Sequence, residues 1–144
     1  MKKLILFTFV ASLFFAACTT MKPGSIANSG LSGLSGTWEL TYISGPRIAF
    51  NGLYPGKKPM IKFDLTEKRF SGNTSCNSFS GVLVADDSTI NFTAPFIMTK
   101  MACPGEGEAT FVEVLKKVSR YDITSDSTLN FMMGDIAIMR FSRK

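Results

Sequence analysis

The sequence predicts an α+β fold that is mainly β: a small, strongly curved antiparallel sheet or partly open barrel with one helix packed across it. Three observations carry this. Past residue 33 the apolar side chains recur mostly at period two, the signature of half-buried strands. Short polar clusters interrupt the runs, so neighbouring strands return as hairpins and pair antiparallel. A single segment switches to helical spacing, and one helix supplies too few crossovers for a parallel layered fold. A sheet of about eight short strands must curl or split to bury its apolar face.

The elements follow in order. Residues Thr37 to Ile43 send Trp38, Leu40 and Tyr42 to one face and Glu39 and Thr41 to the other. Met60 to Leu65 alternates with Ile61, Phe63 and Leu65 inward, and Thr66-Glu67-Lys68 makes the turn. Arg69 to Thr74 returns with Phe70 inward, and Phe79 to Val84 is a further strand ended by Asp86-Asp87-Ser88. Thr89 to Thr93 places Ile90 and Phe92 on one face, and Phe96 to Lys100 reads as a short irregular strand. From Glu106 to Ser119, Phe111, Val114, Leu115 and Val118 stand at helical spacing. Glu106, Glu108 and Glu113 come early and Lys116, Lys117 and Arg120 late, which suits the helix dipole. Alternation resumes in Tyr121 to Thr124, Leu129 to Met133 and Ile136 to Phe141. Met98, Met101, Met132, Met133 and Met139 are expected to fill an irregular core beside the nearby phenylalanines, or else to line an adaptable apolar pocket.

The N-terminal residues read as an address. Lys2 and Lys3 precede the apolar run Leu4 to Phe15, which is shorter than the roughly 20 residues a membrane span needs. Ala16, Ala17 and Cys18 then look like a lipobox, with Phe15 where an aliphatic residue is commoner. The expectation is a lipoprotein signal peptide over residues 1–17, cleavage before Cys18 and acylation there. Residues 18–33 read as a flexible tether, whose span as a coil of about 15 residues is roughly 20 Å. Residues 34–144 form one domain. Thr19 rather than Asp follows the acylated residue, so the expected location is the cell envelope, lipid-anchored at the outer membrane.

With Cys18 set aside, Cys76 and Cys103 remain in a compartment where disulfides persist. Pairing would close a loop of about 28 residues and stabilise the fold by roughly 3.5 kcal/mol. Two reduced, buried cysteines are the alternative. The chain has no histidine and no CxxC spacing, so no metal site and no cofactor are expected.

The same absence of histidine removes Ser-His-Asp and Cys-His catalysis and the commonest general base. Lys62 or Lys100 could act as a base for a serine only if the fold paired them. Asp86-Asp87, with Asp122 and Asp126 at another turn, reads as turn chemistry rather than a carboxylate pair. No catalytic residue is assigned, and the reading is non-enzymatic. Lysine and arginine total 16 against 11 acidic residues, and the basic residues are scattered rather than striped, which argues against a nucleic-acid partner. Gly72 to Gly81 is the most unusual stretch in composition. Its Asn73, Thr74 and Asn77 form a possible binding loop, or else satisfy backbone groups where two strands bend.

Four motifs in register carry a resemblance: Leu34-Ser35-Gly36-Thr37-Trp38-Glu39-Leu40, Phe70-Ser71-Gly72-Asn73-Thr74, Cys76-Asn77-Ser78-Phe79-Ser80-Gly81, and Met98-Thr99-Lys100-Met101-Ala102-Cys103. Over Leu34 to Phe141 the chain resembles the META domain family, whose bacterial members include HslJ-type heat-shock lipoproteins. Ser75 stands where that family more often has Gly. The resemblance implies a compact, mainly antiparallel β fold with one helix, a stress-tolerance association and no catalytic residues. Two functions follow as expectations. One is a non-catalytic envelope module that binds a protein partner or supports the cell surface under stress, monomeric and held to the membrane by its lipid. The other is a receptor for an acyl chain or another small apolar ligand within the curved sheet; a hydrolase working without histidine is a distant third.

Overall fold

The computed structural model describes residues 30–144; Cys18, the signal and most of the tether lie outside them. The order of elements is α1 (Gly30–Leu34), β1 (Gly36–Ile43), α2 (Phe50–Leu53), β2 (Met60–Asp64), β3 (Arg69–Asn73), β4 (Ser78–Val82), β5 (Val84–Ala85), β6 (Ile90–Asn91), β7 (Ile97–Met98), α3 (Gly107–Leu115), β8 (Arg120–Thr124), β9 (Thr128–Met133) and β10 (Ile136–Arg143). Eight strands form one antiparallel sheet in the order β7-β4-β3-β2-β1-β10-β9-β8, and β5 pairs with β6 apart from it. The sheet is curved and is not closed into a barrel.

The topology is two meanders joined through α3. The first runs outward from β1 to the β7 edge. The helix then carries the chain to the opposite edge, and β8, β9 and β10 return until β10 lies against β1. The pleat separates the two faces of the sheet. Trp38, Ile61, Gly72, Phe79 and Met98 form an inward row across β1, β2, β3, β4 and β7. The neighbouring row Thr37, Lys62, Ser71, Ser80 and Ile97 faces outward. At Gly72 a side chain is impossible, because a Cβ would stand 2.0 Å from the Met60 carbonyl oxygen and 2.8 Å from the Phe79 ring. Phe79 therefore lies over the glycine where the sheet bends.

Rings fill the concave side. Phe70 and Phe92 meet at 5.1 Å, Phe92 and Phe131 at 5.4 Å, Phe131 and Phe141 at 5.1 Å, and Phe79 and Phe111 of α3 at 5.7 Å. Trp38, fully buried, donates its Nε1–H to the Leu34 carbonyl at 2.9 Å. Arg143 closes the seam from the other terminus. Its guanidinium lies 4.1 Å from the centre of the Trp38 ring and donates to the carbonyls of Gly33, Ser35 and Asp126.

Several expectations are corrected. Tyr42 points outward and Ile43 inward, because the pairing with β10 slips between Leu40 and Tyr42 and a bulge inverts the alternation there. A second slip, between Ala137 and Met139, lets Ile138 and Met139 both be buried while Ile136 is exposed. Of the clustered methionines Met139 is in the core, whereas Met101 and Met133 are exposed. Two short helices join the one foreseen, and Gly30–Leu34 is a turn of helix rather than tether, with Asp87 accepting the Leu31 N–H at 3.0 Å. The single strand expected from Phe79 to Val84 divides into β4 and β5, which belong to different sheets.

Candidate functional site

The most densely bonded polar cluster sits at the end of the sheet where β3 turns into β4. Four residues, Thr74 to Asn77, connect the strands, and the Thr74 N–H donates to the Asn77 carbonyl at 2.8 Å. Ser75 holds φ at 84°, in the left-handed region that favours glycine. Asn73 supports it by accepting the Ser75 N–H at 3.1 Å.

Asn77 is wholly buried and organises the corner. Its Oδ1 accepts from the Thr99 hydroxyl at 2.7 Å and the Met101 N–H at 2.8 Å. Its Nδ2 donates to the Met101 carbonyl at 3.1 Å, to Glu108 Oε1 at 3.1 Å and to Cys103 Sγ at 3.0 Å. Its backbone N–H donates to Thr74 Oγ1 at 3.0 Å and Glu108 Oε2 at 3.3 Å. The Thr74 hydroxyl donates to Glu108 Oε2 at 2.5 Å. Cys76 and Cys103 are joined, with their Cα atoms 6.0 Å apart, so the loop and the segment leading into α3 are covalently one unit.

Asn73, Thr74 and Asn77 are thus brought together, but their polar atoms are turned inward and used within the corner. Among the described residues no buried side-chain nitrogen or oxygen lacks a hydrogen-bond partner. Glu108 is the member that sequence reasoning missed. Its place in the first helical turn offered a sufficient dipole explanation, and its partners lie 31 and 34 residues away.

Beside the disulfide opens a cleft of about 400 Å³ lined by Leu53, Tyr54, Lys57, Cys103, Pro104 and Glu108 among others. The Tyr54 hydroxyl donates to the Gly107 carbonyl at 3.0 Å, and burial pushes its pKa up to about 12. A second cleft, of about 380 Å³, separates α3 from Ser44, Pro46 and Ile138. Both are surface features. On the inward side of the sheet the phenylalanine rings are buried and packed against one another.

The remaining candidates are dispersed. Asp86 accepts from the Ser88 and Thr89 N–H groups and the Thr89 hydroxyl, bonds that hold its carboxyl below the usual range. Asp87 accepts from Leu31, so the two carboxylates serve a turn and a helix. Asp122 Oδ2 accepts from Thr124 within β8. Lys62 is exposed on the outer face of β2 and Lys100 is exposed beyond β7.

The META domain model matches residues 31–144. No curated protein matches the chain. The fold is similar to the NMR structure of a protein from Burkholderia xenovorans, with a TM-score of 0.62 at 18% identity over 96% of this chain and 99% of that one. It is also similar to the crystal structure of a DUF4847 family protein from Bacteroides vulgatus, with a TM-score of 0.53 at 20% identity over 77% and 94%. At these identities the two likenesses speak for the fold alone.

Proposed function

The chain belongs to the META domain family, and on that premise we propose that it is a non-catalytic module of the cell envelope, working through the outer face of its sheet in a binding or stress-tolerance role. The observation that carries this is the asymmetry of the two faces. The concave face is filled by its own rings and locked at one end by the disulfide corner. The outer face is uncovered among the described residues and mixed in character: Lys62, Ser71 and Arg140 are exposed there beside the apolar Tyr42 and Ile97, with Asn130 accepting from Arg140 Nε at 3.1 Å. A sheet whose interior is full has its outer face and loops left for recognition.

Attachment through an acylated Cys18, at the outer membrane, is part of the same proposal. It is supported by the sequence pattern that ends at that cysteine. The test is complementation of a deletion strain under envelope stress. Charge reversal on the outer face, Lys62→Glu with Arg140→Glu, should abolish complementation while the protein stays folded and membrane-bound. Cys18→Ala should release it from the membrane fraction. Full complementation by the double variant would overturn the role of the outer face.

A further inference from the structure

We propose that reduction of the Cys76–Cys103 disulfide uncovers a metal site, in which the two sulfurs and the Glu108 carboxylate bind one divalent cation of the zinc class. The inference goes beyond the binding-module reading and does not depend on it. Three elements contribute: Cys76 from the β3–β4 loop, Cys103 from the segment before α3, and Glu108 from the first turn of α3. Their ligand atoms all lie within 4.8 Å of one another, and all three residues are half-buried. Two thiolates and a carboxylate are a donor set that Zn²⁺ accepts in tetrahedral geometry, at about 2.3 Å to sulfur and 2.0–2.2 Å to oxygen. The remaining position would face the cleft of about 400 Å³ beside the disulfide, where water can enter.

The groups around these donors already have the arrangement an outer shell needs. A single amide, Nδ2 of Asn77, reaches both Glu108 Oε1 at 3.1 Å and Cys103 Sγ at 3.0 Å. Glu108 Oε2 is held by Thr74 and the Asn77 N–H, while Oε1, among the described residues, accepts from the Asn77 amide alone. Such partners orient a metal's ligands and set their strength. The charge balance points the same way. Glu108 forms no ion pair among the described residues; the pairs there use Glu39, Glu113 and Asp135. It is a half-buried carboxylate held by neutral donors alone. Two thiolates beside it would put three negative charges in one small volume, and a divalent cation offsets two of them.

The chemistry balances in two steps. A dithiol reductant supplies two electrons and two protons. The S–S bond breaks, two S–H bonds form and the reductant leaves as its own disulfide. The cation then displaces both thiol protons to solvent as it binds. To share a tetrahedral ion at about 2.3 Å each, the two freed sulfurs stand about 3.8 Å apart, with the loop on one side and the lead-in to α3 on the other carrying them.

The test uses the full chain carrying Cys18→Ala, so that only Cys76 and Cys103 can be thiols, reduced with a phosphine and titrated with Co²⁺. The expected result is one equivalent bound, with sulfur-to-cobalt charge-transfer absorption in the near ultraviolet, displaced by Zn²⁺ and absent before reduction. Glu108→Gln should weaken binding at least about tenfold, since it replaces a ligand and not only a neighbour. Absence of binding after reduction, equal binding by the oxidised chain, or unchanged affinity in Glu108→Gln overturns the proposal. Should that variant fail to fold, alkylation of the unsubstituted reduced chain decides. Protection of Cys76 and Cys103 by one equivalent of Zn²⁺ supports the site, and labelling at the unprotected rate overturns it.

Discussion

Replacing Asn77 by Asp changes almost no volume, yet it reverses the polarity of one atom in the bonded corner. The two bonds accepted by Oδ1, from Thr99 and Met101, survive. The donor side does not: an ionised carboxylate would face the Met101 carbonyl and Glu108 Oε1, each now 3.1 Å from Nδ2. Two like charges about 3 Å apart repel by roughly 5 kcal/mol at an effective dielectric of 20. Proton uptake limits the penalty. Keeping a carboxyl of ordinary pKa, about 3.9, protonated at pH 7 costs about 4 kcal/mol at 1.36 kcal/mol per unit. Once protonated, the introduced carboxyl can donate to Glu108 and restore one bond, which leaves about 1 kcal/mol for the Met101 carbonyl. Asn77→Asp is therefore expected to cost about 4–5 kcal/mol at pH 7 and about 1 kcal/mol near pH 4. The sign follows because the folded state retains a proton that the unfolded state releases, so the variant loses stability as pH rises. Urea unfolding with the disulfide intact measures this, read through Trp38, the single tryptophan and a buried one. A cost under 1 kcal/mol at pH 7, or one that does not shrink on acidification, would refute the assignment of Asn77 as the organising donor.

Other outcomes follow from the same structure. Reducing Cys76–Cys103, separated by 27 residues, should lower the unfolding free energy by about 3.5 kcal/mol in metal-free urea titrations of the two forms. Ser75→Gly should stabilise the protein by about 1 kcal/mol, seen as a higher urea midpoint, because φ at 84° costs a serine what it does not cost a glycine. Above pH 10 stability should fall. Tyr54 and Tyr121 keep their protons to about 12 when folded but release them near 10 when unfolded, so deprotonation favours unfolding. Burial is the main cause for both, with the Asp87 and Asp86 charges adding at Tyr121. Tyr54→Phe should flatten that alkaline decline and cost about 1 kcal/mol at neutral pH through the lost bond to Gly107, measurable in a pH series of midpoints.

Most of the sheet was legible in the sequence because one face is buried and the other wet, so Ile61, Phe63 and Phe70 declare their side by alternation alone. The bulges were not. Tyr42 and Ile43 are both acceptable inward residues, and nothing local says which one the slip in pairing with β10 will turn in. The first helix was hidden for a similar reason. Gly-Leu-Ser-Gly-Leu has the composition of a tether, and what holds it is remote: the Asp87 carboxylate and the Arg143 guanidinium. In the polar corner, Asn73, Thr74 and Asn77 stood out by composition. Their direction did not, because whether a short polar side chain serves a ligand or its own backbone is decided by partners such as Thr99, Met101 and Glu108.

The pairing of β1 with β10 also fixes an order of assembly. The first strand lies at the middle of the sheet, and the neighbour on one of its sides is the last strand of the chain, with Trp38 opposite Arg143. A chain that becomes available from its N-terminus can complete the meander from β1 through β7 while that side of β1 still has no partner. Closing it requires contacts across almost the whole domain, which makes it a slow, non-local step. Until then an apolar strand edge is open to other chains. Truncation of the last few residues would therefore leave a nearly finished sheet with its centre exposed, a form prone to associate with itself.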